Sequence, residues 1–336
     1  MVRSDTGNDR MLHDGISGQF LLEKRLKELD PGLHQCFTDT VFALQEILFR
    51  FRRIFPEFTD HSALHSINVI DFCNRLIGPD QTARLDADSI YVLLTACYLH
   101  DVGMGISMEQ YREFTEQIPK GDYIQTHPDA SAAEIIRDFH QEFSACFIRK
   151  YVRLFDIPSP EHAFAIVQVC RGHRRTDLFD RSQFPERWML PDGNQICLPY
   201  LAAVIRLADE IDVAADRNPA LLYDMESLSN EFEIAFHKRH RAVRDVVVTK
   251  DAFLVNVLPC EPEIQTMIEN MIRKMQKTLD TCRAAVDSCP FEITQRRVLL
   301  IPDQGGGGSW RDTAADSHRK SPEGMTKRAG GCARRE

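Results

Sequence analysis

The stretch SIYVLLTACYLHDVGMG, residues 89–105, decides the fold of this chain. Its residues before His100 are apolar on nearly every side, and a helix without a polar face has to lie in the middle of a core. Asp88 can cap that helix, and Gly103 predicts its end. Neighbouring helical residues diverge by about 100°, so His100 and Asp101 can share one site only where the helix is ending. The stretch therefore predicts a mainly α-helical protein with an imidazole and a carboxylate at its centre.

Composition divides the rest of the chain into four regions. Apolar residues recur every three or four positions through most of it, which is typical of helices, whereas β-branched, partly alternating runs follow residue 230. The glycine-rich end has almost no apolar periodicity, which is typical of disorder. We expect a flexible N-terminus at 1–19, a helical core at 20–228, a small strand-containing appendage with a C-terminal helix at 229–302, and a disordered tail at 303–336.

Charge and cysteine content exclude several classes of protein. The 336 residues are 43% hydrophobic and carry a formal net charge of -9, which argues against nonspecific binding to nucleic acid. There is no secretory signal and no run of about 18 uncharged apolar residues. The ten cysteines contain no Cys-x-x-Cys pair, so most are expected to be buried small hydrophobes in a reducing compartment. We therefore expect a cytoplasmic protein with no membrane partner, and its charge disfavours nucleic acid as a partner.

A second carboxylate interrupts an apolar stripe further along the chain. Leu198, Ala202, Ile205 and Asp209 are spaced by 4, 3 and 4 residues, which places Asp209 on a core-facing stripe. A buried carboxylate costs several kcal/mol unless it is paired or bound to a metal. Asp209 therefore needs a cation, and an ion pair with Arg206, three residues earlier, would serve as well as a metal.

His65 is a further candidate for a metal ligand on a core-facing helix. It lies one turn after His61 on a predicted helix whose stripe continues with Val69 and Phe72, so either imidazole could point inward. A lone histidine of this type is more often a satisfied core residue than a ligand. The combination of His65 with the 100–101 pair and Asp209 favours a shared site.

These residues and the sequence motifs around them resemble those of the HD superfamily of metal-dependent phosphohydrolases. The matching sequence motifs are LHSINVI around His65, CYLHDVGMG around His100 and Asp101, and LAAVIRLADEID around Asp209. With FTDHSALHS before the HD helix and RLADEID closing the core, the chain is most similar to an HD-CE-like branch, a type sometimes fused to a chaperone-like ATPase domain. The resemblance covers roughly residues 20–290 and implies an HD-type helical bundle, here with a small α/β appendage.

The resemblance also implies a ligand set. Members with two metals add histidines, for which His127 in THPDASAAEII and His173 in VCRGHRRTDL are the candidates, with His162 as a weaker substitute; each could instead be a surface or helix-end residue. The implied metal ligands are His65, His100, Asp101, His127, His173 and Asp209, with Asp101 bridging two ions and with His100 and Asp101 as the catalytic residues. Imidazole and carboxylate ligands without thiolate suit one or two ions of Mn, Fe, Co, Ni or Zn.

Phosphate binding would need further cations. Arg171, Arg174 and Arg175 flank His173, and we assign Arg174 and Arg175 to a substrate phosphate, although they could equally form a solvated helix end.

The sequence thus predicts a metal-dependent phosphohydrolase that cleaves a phosphoester bond of a nucleotide or nucleotide-derived signal through metal-activated water. One alternative is a non-enzymatic or weakly active sensor that binds metal and nucleotide and acts on a protein partner or a fused ATPase. Another is a purely structural helical protein with incidental histidines.

Overall fold

The computed structural model describes residues 20–48, 63–213, 238–239 and 241–303. The chain divides into two compact units, Met1–Pro302 and Asp303–Glu336, and the description below concerns the first. The predicted flexible N-terminus and all but the first residue of the predicted tail lie outside the described residues.

The first unit is mainly helical, which confirms the predicted fold class. A short 3-10 turn, Val102–Gly105, follows the fourth helix. The described helices are α1 (Leu21–Leu29), α2 (Pro31–Leu48), α3 (Ala63–Thr82), α4 (Ala87–Leu99), α5 (Met108–Thr115), α6 (Tyr123–Thr126), α7 (Ala132–Lys150), α8 (Pro160–Gly172), α9 (Leu198–Ile211) and α10 (Pro262–Ala285).

Helix α4 is the centre of the core, as its apolar sequence predicts. All its residues from Asp88 to Leu99 are buried, and α1, α2, α3, α8 and α9 pack around it. Its N-cap is Asp86, whose Oδ1 accepts a hydrogen bond of 2.6 Å from the Ser89 backbone N–H. The predicted cap, Asp88, is wrong: it lies in the first turn of α4 and pairs with a histidine of α8.

Two helices contain breaks that their sequences only partly signal. Gly78 interrupts α3 with φ 70° and ψ 168°, and Pro79 follows it, as expected where a helix cannot continue. Helix α7 begins with a capping box formed by Ser131 and Glu134 and is kinked at Phe139, where φ is -120° and ψ is 17°.

The 3-10 turn lies directly against α7, and this contact requires a glycine. A Cβ added to Gly103 would lie 2.4 Å from the His140 carbonyl oxygen and 2.5 Å from the Ser144 backbone nitrogen. The Ser144 hydroxyl accepts from the Gly103 N–H at 2.9 Å and donates to the His100 carbonyl at 2.6 Å. The end of α4 is therefore fixed against α7.

Five short strands complete the described fold. Strands β1 (Trp188–Met189) and β2 (Gln195–Ile196) form a small antiparallel pair ahead of α9. Strands β3 (Val243–Val248) and β4 (Ala252–Val257) are antiparallel, whereas β4 and β5 (Arg297–Pro302) are parallel. The crossover between β4 and β5 contains α10, as a parallel connection requires.

The sheet and the helices share one apolar core. Val243 and Phe253 of the sheet belong to the same buried cluster as Leu94 of α4 and Leu279 of α10. The predicted strand-containing appendage is therefore present and continuous with the helical core. The part of the prediction that falls on EFEIAFH, 231–237, lies outside the described residues.

Among the described helices, no single one combines the length and apolarity of a membrane span. One bent pair, Ala87–Gly105 with Met108–Thr115 at 101°, meets the length and composition test jointly.

Candidate metal centre

Five helices bring six imidazole and carboxylate side chains to one place. His65 lies in the first turn of α3, and Asp209 lies in the last turn of α9. The His-Asp pair stands where α4 passes into the 3-10 turn, as the glycine that follows predicts. The remaining two histidines come from α7 and α8. The six residues are His65, His100, Asp101, His140, His173 and Asp209.

Four of these residues form what we call the first half-site: His65, His100, Asp209 and the Oδ2 oxygen of Asp101. The Nε2 atom of His65 is 3.2 Å from His100 Nε2, 3.3 Å from Asp209 Oδ1 and 3.6 Å from Asp101 Oδ2. His100 Nε2 is 3.4 Å from the same Asp101 oxygen.

The second half-site consists of His140, His173 and the other oxygen of Asp101. The Oδ1 atom of Asp101 is 3.3 Å from His140 Nε2 and 3.5 Å from His173 Nε2. The two Nε2 atoms are 2.9 Å apart. Asp101 thus directs one oxygen to each half-site.

Three of the histidines are oriented by their own helices. In each, Nδ1 lies within hydrogen-bond distance of the backbone carbonyl three residues earlier. A carbonyl oxygen can only accept, so Nδ1 carries a hydrogen and Nε2 is the ring atom directed at the cluster, where its deprotonated form can bind a cation. The pairs are His100 with Cys97 at 2.9 Å, His140 with Arg137 at 2.6 Å, and His173 with Cys170 at 2.5 Å.

His65 is oriented differently. Its Nδ1 lies 2.6 Å from Oδ2 of Asp212, a buried carboxylate just beyond the end of α9. Asn68 donates to the other Asp212 oxygen at 3.4 Å. Asp212 was not among the predicted site residues, although it stands three residues after Asp209 in the sequence.

The electrostatics of the cluster favour a positive charge. Burial lowers the pKa of His100, but the carboxylates of Asp101 and Asp209 outweigh it and raise that pKa to about 9. Burial, together with His100 and His140, holds the pKa of His173 well below its ordinary value. Burial raises the pKa of Asp209, yet its contact with His65 brings that pKa well below the ordinary range.

The donor set fits a divalent cation. Buried carboxylates require a cationic partner, and the raised pKa of His100 shows that a proton fills this role when no metal is bound. A divalent cation can replace that proton. Two groups of three potential ligands, His65 with His100 and Asp101, and Asp101 with His140 and His173, each place their donor atoms within 4.8 Å of one another. Imidazole nitrogen and carboxylate oxygen without thiolate are donors that suit Mn, Fe, Co, Ni or Zn, and they differ from the cysteine-containing sets of structural zinc sites.

Asp209 does not use the alternative partner that its spacing allowed. The Arg206 guanidinium donates at 2.6 Å to the carbonyl of Gly172 and at 2.6 Å to that of Thr176. The Asp209 carboxylate faces His65.

His127 is not brought to the cluster, and this prediction is corrected by the structure. It is exposed in the loop after α6, where its ring stacks on Tyr123 at a centroid distance of 4.4 Å. The histidine from this part of the chain that reaches the cluster is His140. A stripe of Ile136, His140, Phe143 and Phe147, all buried, would have identified it by the spacing that identified Asp209.

His162, the weaker substitute, lies in a separate buried pair. Its Nε2 is 2.9 Å from Asp88 Oδ1, and its Nδ1 is 2.9 Å from the Ser159 hydroxyl. Asn194 donates to the second Asp88 oxygen at 2.8 Å. This arrangement satisfies a core histidine.

The three arginines beside His173 differ in environment. Arg171 is engaged by Glu142 at 3.0 Å and by two glutamine side chains. Arg174 is half-buried and Arg175 is exposed. Their assignment to a substrate phosphate stays a prediction.

The comparison with protein families agrees with this geometry. The model of the family described as HD-CE matches residues 55–287, a range that contains all six cluster residues and Asp212. No curated protein and no solved structure matched the chain.

Proposed function

The chain belongs to the HD-CE family, and on this premise we propose that it is a metal-dependent phosphohydrolase. Its substrate is a nucleotide or a nucleotide-derived signal, of which it cleaves a phosphoester bond. The observation that supports this proposal most directly is the shared carboxylate: Asp101 has one oxygen among His65 and His100 and the other between His140 and His173. That is the arrangement expected of a carboxylate that bridges two adjacent cations.

The residues of the chain prepare the site for this chemistry. A divalent cation held here lowers the pKa of a coordinated water towards about 7 and neutralises charge on a phosphoryl oxygen. Asp101 spans the two half-sites, while His65, His100 and Asp209 hold one side and His140 and His173 hold the other. Because the outer nitrogens are already engaged, the imidazoles keep one tautomer and one orientation without rearranging.

Burial determines where a substrate can approach. The side chains of His65 and His100 are each 1% exposed, that of His173 is 0% exposed, and that of Asp209 is 14% exposed. We place the phosphoryl group on the side of Asp209. The low exposure of the imidazoles limits bulk water there and strengthens each electrostatic contact.

Metal analysis combined with a phosphohydrolase screen tests the proposal. The full chain, loaded with Mn²⁺ or Ni²⁺, is expected to release phosphate or a nucleotide product from a panel of nucleotides and cyclic nucleotides. Asp101→Ala is expected to abolish release while the circular dichroism spectrum stays unchanged. His127→Ala, a histidine outside the cluster, is the matched control and should retain activity.

Two results would count against the enzyme. Absence of bound metal after loading would remove the basis of the proposal. Stoichiometric metal with no product from any substrate would instead favour a sensor that binds metal and nucleotide and acts through a partner.

A further inference from the structure

The outer nitrogens of the four cluster histidines are not held alike. In His100, His140 and His173, Nδ1 is directed at a backbone carbonyl of the same helix. In His65, Nδ1 is directed at the carboxylate of Asp212, 147 residues away in sequence, at 2.6 Å. One of the four ligands therefore has a formally charged partner behind it.

The carboxylate partner of His65 belongs to the first half-site. The first half-site contains His65, so it has Asp212 behind an imidazole in addition to Asp209 and one oxygen of Asp101. In the second half-site, the outer nitrogens of His140 and His173 are held by carbonyls, and one oxygen of Asp101 supplies the carboxylate.

A carboxylate behind a ligand histidine changes what the inner nitrogen can do. It fixes the Nδ1–H tautomer, holds the ring in position and makes Nε2 a stronger electron donor. A backbone carbonyl fixes the tautomer but carries only a partial charge. The first half-site therefore attracts a cation more strongly through both its ligands and the charge behind them.

We infer that the two half-sites are unequal: the first binds a divalent cation more tightly and fills first, and Asp212 is the positioning residue responsible. This inference rests on the metal site of the proposed function, but it concerns affinity and not turnover.

The substitution Asp212→Asn tests the role of the carboxylate with almost no change in size. Because Asn68 donates to one oxygen of residue 212, an asparagine there would turn its amide oxygen to Asn68 and its amide nitrogen to His65 Nδ1. That nitrogen donates, so it favours the opposite tautomer of His65, in which Nε2 carries the hydrogen and has no lone pair for a cation. Asp212→Glu restores the negative charge on a longer side chain and should recover part of the loss.

The experiment is a Mn²⁺ titration of the metal-depleted full chain, followed by electron paramagnetic resonance of free Mn²⁺. We expect two classes of site that differ at least about tenfold in Kd. Loss of a residue that orients a ligand costs about 10–100-fold in metal affinity, so Asp212→Asn should weaken the tighter class by that factor. The weaker class should stay within about twofold.

Asp88→Asn is the matched control. Asp88 is also a buried aspartate paired with a histidine, His162, at 2.9 Å, but it lies outside the cluster. It should leave both Mn²⁺ affinities unchanged even if it lowers stability, which separates an effect on the metal from general damage to the fold.

The inference is overturned if Asp212→Asn leaves the tighter class unchanged or weakens both classes by the same factor. It is also overturned if Asp88→Asn lowers the affinities as much as Asp212→Asn does. Phosphate release does not enter this test. A chain with unequal sites and no activity would therefore contradict the proposed function alone, and an active chain unaffected at position 212 would contradict this inference alone.

Discussion

Each cluster imidazole presents Nε2 inward because its Nδ1 is already engaged, and His140 shows how much depends on this. Its Nδ1 lies 2.6 Å from the Arg137 carbonyl, and its Nε2 faces both Asp101 and His173. His127, 13 residues earlier, uses its Nδ1 for the Thr126 hydroxyl in an exposed loop. The two histidines are therefore a natural pair for mutation.

We predict that His140→Ala weakens metal binding and activity, whereas His127→Ala leaves both unchanged. The first substitution removes one of the three donors of the second half-site. Losing a direct ligand should cost at least as much as losing an orienting partner, about 10–100-fold in affinity. Metal content by elemental analysis and kcat/KM on the best substrate are the measurements. Equal effects of the two substitutions would exclude His140 as a ligand.

A second prediction at this scale concerns Asp88 and the pH dependence of stability. Burial raises the pKa of Asp88, but hydrogen bonds from His162 and Asn194 outweigh it and lower that pKa below its ordinary value. A carboxyl group whose pKa is lower in the folded state stabilises the fold above its unfolded pKa of about 3.9. This contribution is lost as the pH falls through the folded value.

Asp88→Asn should therefore reduce the free energy of unfolding at pH 7 by about 1–3 kcal/mol, the cost of unpairing a buried polar group. The difference from the unmodified chain should shrink as the pH falls below about 4. Urea denaturation at a series of pH values measures both quantities. A difference that stays constant over this range would show that the charge of Asp88 does not contribute.

At the residue scale, the sequence pointed to those cluster residues that interrupt or end an apolar stretch. Asp209 and the 100–101 pair belong to this group, because a polar side chain in a core position needs a hydrogen-bond or charge partner to offset its burial. His127 was chosen for its resemblance to a family pattern, although no such stripe supports it. Asp212 ends a buried stripe with Leu201, Ile205 and Ala208, which has the same spacing of 4, 3 and 4 residues as the stripe that ends at Asp209, so the sequence did signal its burial. Its pairing with His65 could not be predicted, because that contact depends on how α3 lies against the end of α9.

At the scale of elements, the contact between the 3-10 turn and α7 determines where the His-Asp pair stands. We predict that Gly103→Ala destabilises the chain by about 1–3 kcal/mol, the usual cost of overpacking. The new Cβ would meet backbone atoms of His140 and Ser144, which cannot rotate away. Since His140 belongs to the second half-site, metal affinity should fall as well.

Gly121→Ala is the control for this prediction. A Cβ at Gly121 meets nothing within 4 Å, although the positive φ of 49° imposes some backbone strain. It should lower stability without changing metal affinity. Thermal denaturation and metal titration of both variants are the measurements, and unchanged metal affinity in Gly103→Ala would contradict the proposed link between the turn and His140.

The ends of helices were more predictable than their internal breaks. Proline and cap residues are local signals: Pro160 is the first residue of α8, behind the cap Ser159, and Pro199 is the second residue of α9. The kink at Phe139 lies in a stretch of α7 without proline or glycine, next to the residues that contact the 3-10 turn, so no local signal marks it. The sequence also could not show that Asp86, and not Asp88, caps α4, because Asp88 is drawn away by its contact with His162 of another helix.

At the scale of the whole molecule, the cluster joins five helices whose residues extend from 63 to 211 in sequence. A ligand that binds only the folded chain stabilises it by about 2.7 kcal/mol at a hundredfold excess over Kd. For a domain of this size, each kcal/mol raises Tm by about 2–4 °C. We therefore predict that Mn²⁺ raises the Tm by several degrees and that EDTA reverses the shift.

Differential scanning fluorimetry with and without Mn²⁺ measures this effect. His100→Ala should abolish the shift, because it removes a ligand at the end of the central helix. A Tm that does not respond to any divalent cation in the unmodified chain would contradict metal binding in the folded state.

The unequal anchoring of the four histidines has an evolutionary consequence. A histidine whose ring is held by a backbone carbonyl of its own helix keeps its orientation when other segments change in sequence. The orientation of the histidines at positions 100, 140 and 173 therefore does not depend on a particular side chain elsewhere in the chain. His65 depends on an acid supplied by another helix. Positions 65 and 212 should therefore vary together across descendants of this fold, and a lineage that loses one should soon lose the other.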